Sequence, residues 1–272
     1  MSTQATPALC SQIRRDIVRM VHGASSGHPG GSLGCVELLA KLYFDVMNIN
    51  STEFQMDGKG EDLFFLSNGH ISPVWYSVLS RRGFFPTEEL ATFRKINSRV
   101  QGHPATEEGL PGIRVASGSL GQGLSVALGA AETKRLNGED TWVYTLHGDG
   151  ELQEGQIWEA AMYAAHNKVD NILSFVDCNG QQIDGPCDEV LSLSDLAGKF
   201  TAFGWHVMEC DGHDLEDLQR VIDEAHSRRG SGVPCIVLMK TEMGKGIDFM
   251  EGTHKWHGVA PNDEQLADAL SQ

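Results

Sequence analysis

An α/β fold is what this sequence predicts: a three-layer α/β/α sandwich with helices on both faces of a mostly parallel sheet. From residue 142 onward, short apolar runs alternate with helical periodicity: strand 142–146, helix 156–167, strand 171–176, helix 195–203, strand 206–210, helix 215–228 and strand 235–239. Strands separated by helices pair in parallel, and loops bearing Gly and Asp follow these strands at the edge where such folds collect function.

The first half is justified element by element. Thr6-Pro7 opens a helix, since Thr can cap and Pro suits the first helical position; Ile13, Ile17, Met20 and Val21 then share one face. The glycine-rich turn Gly27-His28-Pro29-Gly30-Gly31 stops it and leads into Ser32 and a helical segment to about residue 45. DLFFL at 62–66 reads as a buried strand, and Ser67-Asn68-Gly69-His70 as the loop at its C-terminal end. A short helix at 87–94 precedes a loop with His103-Pro104, and 118–135 reads as a helix rich in small residues, closed by Asn137-Gly138. No repeat of solenoid length and no linker-like stretch divides the 272 residues, so one domain over 1–272 is expected.

Composition excludes some partners. The chain is 40% hydrophobic, enough for a sizeable core. A formal net charge of -16, from 37 acidic and 21 basic residues, repels nucleic acid and anionic membranes at long range, so neither is expected as a partner. An anionic ligand would need local help against that field, which a divalent cation and a few aimed amides supply. The six cysteines include no CxxC pair and read as reduced thiols. Neither a signal peptide nor a run of about 18 apolar residues is visible, which makes the cytoplasm the expected location.

The central chemical signal is Gly148-Asp149-Gly150 between a strand and a helix, with Asp177-Cys178-Asn179 at the end of the next strand. Parallel neighbours thus present a carboxylate and an amide at one edge. Such hard oxygen ligands suit Mg²⁺ or Ca²⁺, and Mg²⁺ completes its octahedron with phosphate oxygens and water. The flanking glycines let a diphosphate approach the backbone, and the following helix N-terminus favours its charge. Gly-Asp-Gly is also ordinary turn chemistry, so alone it decides little. A dinucleotide fingerprint is disfavoured, because the third glycine arrives only at Gly155.

GDGELQEGQIWEA with the downstream DCNGQQIDG resembles the thiamine diphosphate signature of transketolases. GASSGHPGGSLG, LSNGH, QGHP, GIRVASGSLGQG and TEMGKG with GTHKWHGVAP follow in that family's order, from residue 23 to residue 261. The resemblance implies the thiamine diphosphate-binding fold, that cofactor, a divalent metal, and transfer of a ketol unit between sugar phosphates. It implies Asp149 and Asn179 as side-chain metal ligands and Gln181 as a main-chain one. His70, the segment Gly118-Ser119-Leu120-Gly121 and His254 are implied against the cofactor, with Gly148, Asp149, Gly150 and Glu151 near its diphosphate. His28, His103 and His254 would face the sugar, His28 and His254 taking part in removing the donor's hydroxyl proton, work that suits imidazoles. Glu154 resembles the buried glutamate linking the two sites of a dimer. Trp256 and His257 are expected to pack or to line the entrance, and His22, His147, His166, His206, His213 and His226 to be structural. Ser119 stands where many single-chain members carry Pro, and Gln181 where an aliphatic residue is frequent.

Complete transketolases continue into a pyrimidine-binding domain and a C-terminal domain, and the former supplies the glutamate that activates the cofactor. The resemblance therefore implies a split enzyme: this chain, inactive alone and able to homodimerise, would form a heterotetramer with a C-terminal transketolase subunit. The alternatives are a cofactor-binding subunit with a non-catalytic or regulatory role, and a subunit of the deoxyxylulose phosphate synthase or 2-oxoacid dehydrogenase type. The histidine set GHPG, SNGH, QGHP and GTH favours ketol transfer over these.

Overall fold

Thr6 and Pro7 start the first element as the sequence predicts. In the computed structural model, which describes residues 4–272, the Thr6 hydroxyl accepts the Leu9 N–H at 3.2 Å, at the head of α1 (Pro7–Ala24). The segment expected as one helix to residue 45 is instead α2 (Pro29–Gly34) and α3 (Val36–Lys41), broken at Cys35, with a wide turn at Leu42–Val46. A Cβ on Gly34 would come within 3.0 Å of the Glu242 main-chain oxygen, so the break lies where backbone packs against backbone.

The sheet strands are β1 (Leu63–Leu66), β2 (Val143–Gly148), β3 (Ile172–Cys178), β6 (His206–Asp211) and β7 (Cys235–Lys240), while β4 (Gln181–Gln182) and β5 (Gly185–Pro186) form a small antiparallel hairpin. The sheet runs β1-β2-β3-β7-β6 with every pair parallel. Alternation along each strand splits the apolar residues between two cores. Phe64, Leu66, Tyr144, Leu146, Leu173 and Phe175 face α1, α3, α9 (Leu215–Ser227) and α4 (Ser72–Arg82). Leu63, Phe65, Val143, Ile172 and Val176 face α5 (Gly123–Leu136), α6 (Gly155–His166) and Phe200 of α8 (Leu196–Ala202). These two cores make the three layers, and each large apolar side chain contributes about 1.5–3 kcal/mol of transfer free energy.

Three further elements depart from the sequence reading. The helix expected from residue 118 begins at Gly123, because Gly118 and Gly121 take positive φ values of 123° and 83° and turn the chain. Helix α4 carried no sequence signal of its own kind: Ser72 through Ser80 are all buried, so it has no polar face to reveal a period. The segment 87–94 is a 3₁₀ helix over Thr87–Thr92. Short α7 (Cys187–Leu191) follows the hairpin, and α10 (Asp263–Ser271) closes the chain behind a capping box of Asn262 and Gln265. No helix of the described residues is long and apolar enough to cross a membrane.

Candidate functional site

Beyond the C-terminal ends of β1, β2 and β3 lies a cavity of about 360 Å³. Pairing places its polar residues: Gly148 is level with Asp177 across β2 and β3, so Asp149 and Asn179 leave neighbouring strands at one edge. Asp149 is 6% exposed; its Oδ1 accepts the Gly150 N–H at 2.7 Å and its Oδ2 the Gly180 N–H at 2.6 Å. Asn179 donates from Nδ2 to Asp177 Oδ2 at 2.8 Å and accepts the Gln181 N–H at 2.9 Å. Thr241 donates to the other Asp177 oxygen. The loop after β3 is therefore folded around the two carboxylates.

Electrostatically the pair is short of positive charge. Burial, then the neighbouring Asp177, pushes the Asp149 carboxyl up to about 6, against its backbone donors. Burial likewise raises Asp177, despite its bonds to Thr241, Cys35 and Asn179. A cation would reverse that cost. Among the described residues no three His, Cys, Asp or Glu side chains gather as a metal cage; a cation here would draw on Asp149, Asn179, a main-chain oxygen such as that of Gln181, and the ligand's own oxygens, a donor set that fits Mg²⁺. Asn68 Oδ1, Gln182 Nε2 and the Nδ1 atoms of His28 and His257 are buried without a protein partner, and all four residues line the cavity. Unmet polar atoms of this kind fit a polar ligand.

Three imidazoles occupy the other side. Ring centroids of His28 and His70 are 5.1 Å apart, His28 and His257 5.5 Å, and His70 and His257 5.2 Å. Burial pushes His28 down to about 4, with His257, Arg94 and His103 adding to the effect, and pushes His70 down to about 3, helped by His257 and His28. Burial lowers His257 too. These rings are neutral at pH 7 and can accept a proton.

Of the residues singled out from the sequence, His28, His70, Gly118, Leu120, Gly148, Asp149, Gly150, Glu151, Glu154, Asn179 and Gln181 line this cavity. His103 is exposed and outside the lining, its ring 6.3 Å from that of His28 and packed on Gly118, where a Cβ would come within 2.6 Å. Ser119 lines a separate pocket of about 220 Å³, and Gly121, outside the lining, donates its N–H to Glu151 and lies against Glu154. His254 sits on a 3₁₀ turn at His254–Trp256, outside the lining, whereas His257, one turn later, lines the cavity. The sequence reading assigns His254 to the site and leaves His257 to packing or the entrance. Glu154 is exposed in the single chain, so the burial implied for it requires a partner. Glu151 is buried, and burial works to raise its carboxyl, but His147, Ser67 and Gly121 outweigh this and hold it below the usual value. Sequence reasoning missed Asn68, Gln182 and Met243 as lining residues. Asn68 was within reach, since it precedes the singled-out His70 in the same strand-end loop.

The fold and cavity define an α/β protein with a polar cavity at the ends of parallel strands, lined by buried carboxylates on one side and imidazoles on the other. The chain belongs to the transketolase family: the family described as "Transketolase, thiamine diphosphate binding domain" matches residues 6–272. One of the subunits of the apulose-4-phosphate transketolase of Phocaeicola vulgatus is 38% identical over 95% of this chain and 90% of its own length. A 6-deoxy-6-sulfo-D-fructose transketolase subunit of a Clostridium species is 36% identical over 96% of this chain and 93% of its own. Among solved structures, transketolase from Leishmania mexicana superposes with a TM-score of 0.89 at 32% identity, over 96% of this chain and 40% of that one. The chain thus spans about two-fifths of a solved transketolase but nearly the whole of the relatives named as subunits.

Proposed function

We propose that this chain is the thiamine diphosphate-binding N-terminal subunit of a split transketolase, one domain over 1–272, which moves a two-carbon ketol unit between sugar phosphates once joined to a C-terminal subunit. The observation that carries the reading is the convergence of Asp149 and Asn179, from hydrogen-bonded neighbouring strands, on one cavity with His28, His70 and His257. When bound, thiamine diphosphate supplies the electron sink for carbon–carbon cleavage. Asp149, Asn179 and the Gln181 main chain would hold Mg²⁺ or Ca²⁺. Gly118 and Leu120 would form a wall for the cofactor and Gly150 leave room for its diphosphate.

His28, neutral and beside His257 and His103, is suited to take the donor's hydroxyl proton and return it to the product. His257 takes the share first expected of His254. A partner's pyrimidine-binding domain would complete the site, and a second copy of this chain would bury Glu154, in keeping with a heterotetramer in the cytoplasm. Relatives named for apulose 4-phosphate and for 6-deoxy-6-sulfo-D-fructose make branched-sugar phosphates and sulfonated sugars candidates beside ordinary pentose phosphates. The test is a ketol-transfer assay across these donors, with and without the partner subunit. Transfer by the isolated chain would overturn the split reading, and calorimetry without Mg²⁺-dependent binding of thiamine diphosphate would overturn the cofactor reading.

A further inference from the structure

We infer that Glu151 is a positioning residue whose buried carboxylate ties the 118–121 turn and the end of β2 to Ser67 after β1, and so sets the walls between which the cofactor sits. The inference rests on the cofactor reading above and adds how the cavity is held open. Glu151 is 3% exposed. Its Oε1 accepts the Ser67 hydroxyl and the Gly121 N–H, the latter at 2.8 Å, while its Oε2 accepts the Gly148 N–H at 3.1 Å. Ser67 Oγ in turn accepts the Gly123 N–H at 3.1 Å, so one carboxylate and one hydroxyl together pin both ends of 121–123. His147 Nδ1 lies 3.8 Å from Oε2.

These donors come from three separate segments, the ends of β1 and β2 and the turn before α5, and a buried carboxylate left short of donors is costly, so the segments are drawn to one arrangement. Direct contact with a diphosphate is the wrong role for this side chain, because it is itself an anion and both its oxygens are engaged. The tether also governs Glu154: a Cβ on Gly121 would come within 2.7 Å of Glu154 Cβ, so the placement of the turn decides how closely it meets that residue.

Glu151→Gln keeps the shape and converts one oxygen into a donor. Whichever way the amide turns, at least one of the Gly121 and Gly148 N–H groups then faces another donor. In the full-length chain without cofactor, hydrogen exchange of 119–123 should quicken by about tenfold while β3 and β7 are unchanged, and calorimetry with thiamine diphosphate at saturating Mg²⁺ should show binding about tenfold weaker. Ser67→Ala, which removes one donor to the carboxylate and the acceptor of the Gly123 N–H but leaves Glu151 bound to Gly121 and Gly148, should move both readouts the same way. If the parent chain binds and Glu151→Gln binds equally well, the inference is wrong. If the parent chain itself does not bind, the cofactor reading fails and exchange alone judges the tether: faster exchange at 119–123 supports it and unchanged exchange refutes it. Should Glu151→Gln fail to fold, Ser67→Ala decides by the same criteria.

Discussion

Replacing Asp149 by Asn separates the demands of binding from those of folding. In the metal-free chain the Asp149 carboxyl is pushed from 3.8 up to about 6 by burial and by Asp177. That shift corresponds to about 3 kcal/mol spent on keeping the group ionised above pH 6. Asn removes the charge but presents one oxygen in place of two, so the Gly150 or the Gly180 N–H, at 2.7 and 2.6 Å in the native arrangement, faces the amide NH₂, another donor, instead. Leaving such a donor unmet costs about 1–2 kcal/mol. The expected net is a metal-free variant more stable than its parent by about 1–2 kcal/mol at pH 8, measured by urea unfolding. The sign with pH follows. Because the folded value is raised, this group's stabilisation is present below about pH 4 and lost as pH rises through about 6, so the parent weakens across that window relative to the variant. Calorimetry on the same variant should show no Mg²⁺-dependent binding of thiamine diphosphate. A variant less stable than its parent at pH 8, or one that still binds the cofactor with metal, would refute the reasoning, since an ordinary strand-to-helix turn predicts both.

Other perturbations probe the remaining parts. His28 and His70 have folded values of about 4 and about 3 against 6.5, so the unfolded chain takes up their protons first. Stability should fall on acidification from about pH 6.5 to 4, by up to about 2.7 kcal/mol per pH unit for the two together; His28→Gln should flatten that slope in denaturant titrations, and an unchanged slope would exclude the pair as its source. Gly69→Ala places a methyl against the Ser117 hydroxyl and within 2.6 Å of the Gly118 nitrogen, which must push the turn aside; cofactor affinity should drop at least tenfold with little change in melting temperature. Asp16 is 7% exposed and accepts both Arg81 nitrogens, at 2.5 and 2.8 Å, together with the Ser77 hydroxyl. Asp16→Ala strands the Arg81 cation between α1 and α4 and should cost about 3–5 kcal/mol in chemical denaturation, leaving the cofactor affinity of the folded fraction intact.

The alternation after residue 142 was legible because each strand is short and apolar and each helix carries one polar face. The first half was harder to read for two opposite reasons. Helix α4 is packed on every side and so shows no period, whereas Gly118 and Gly121 look like small helix-compatible residues until their positive φ angles are seen. At the site, residues adjacent to a strand end, such as Asp149 and Asn179, could be placed because parallel register brings strand ends level. His254 was chosen over His257, which is the one that lines the cavity, because a long loop returning from β7 carries no period from which direction can be read. Glu151 was expected near the diphosphate and lines the cavity, but that its two oxygens would be consumed by Ser67, Gly121 and Gly148 depends on contacts as many as 84 positions apart in sequence.

The closeness of His28, His70 and His257 carries an arithmetic consequence. Two imidazolium charges 5.1 Å apart repel by about 3 kcal/mol at an effective dielectric near 20, about two further pH units between first and second uptake. Three rings that could each hold a proton therefore behave as a single store with room for one, so under the proposed function a proton taken from a substrate by one ring would leave its neighbours neutral and unable to hold a second beside it.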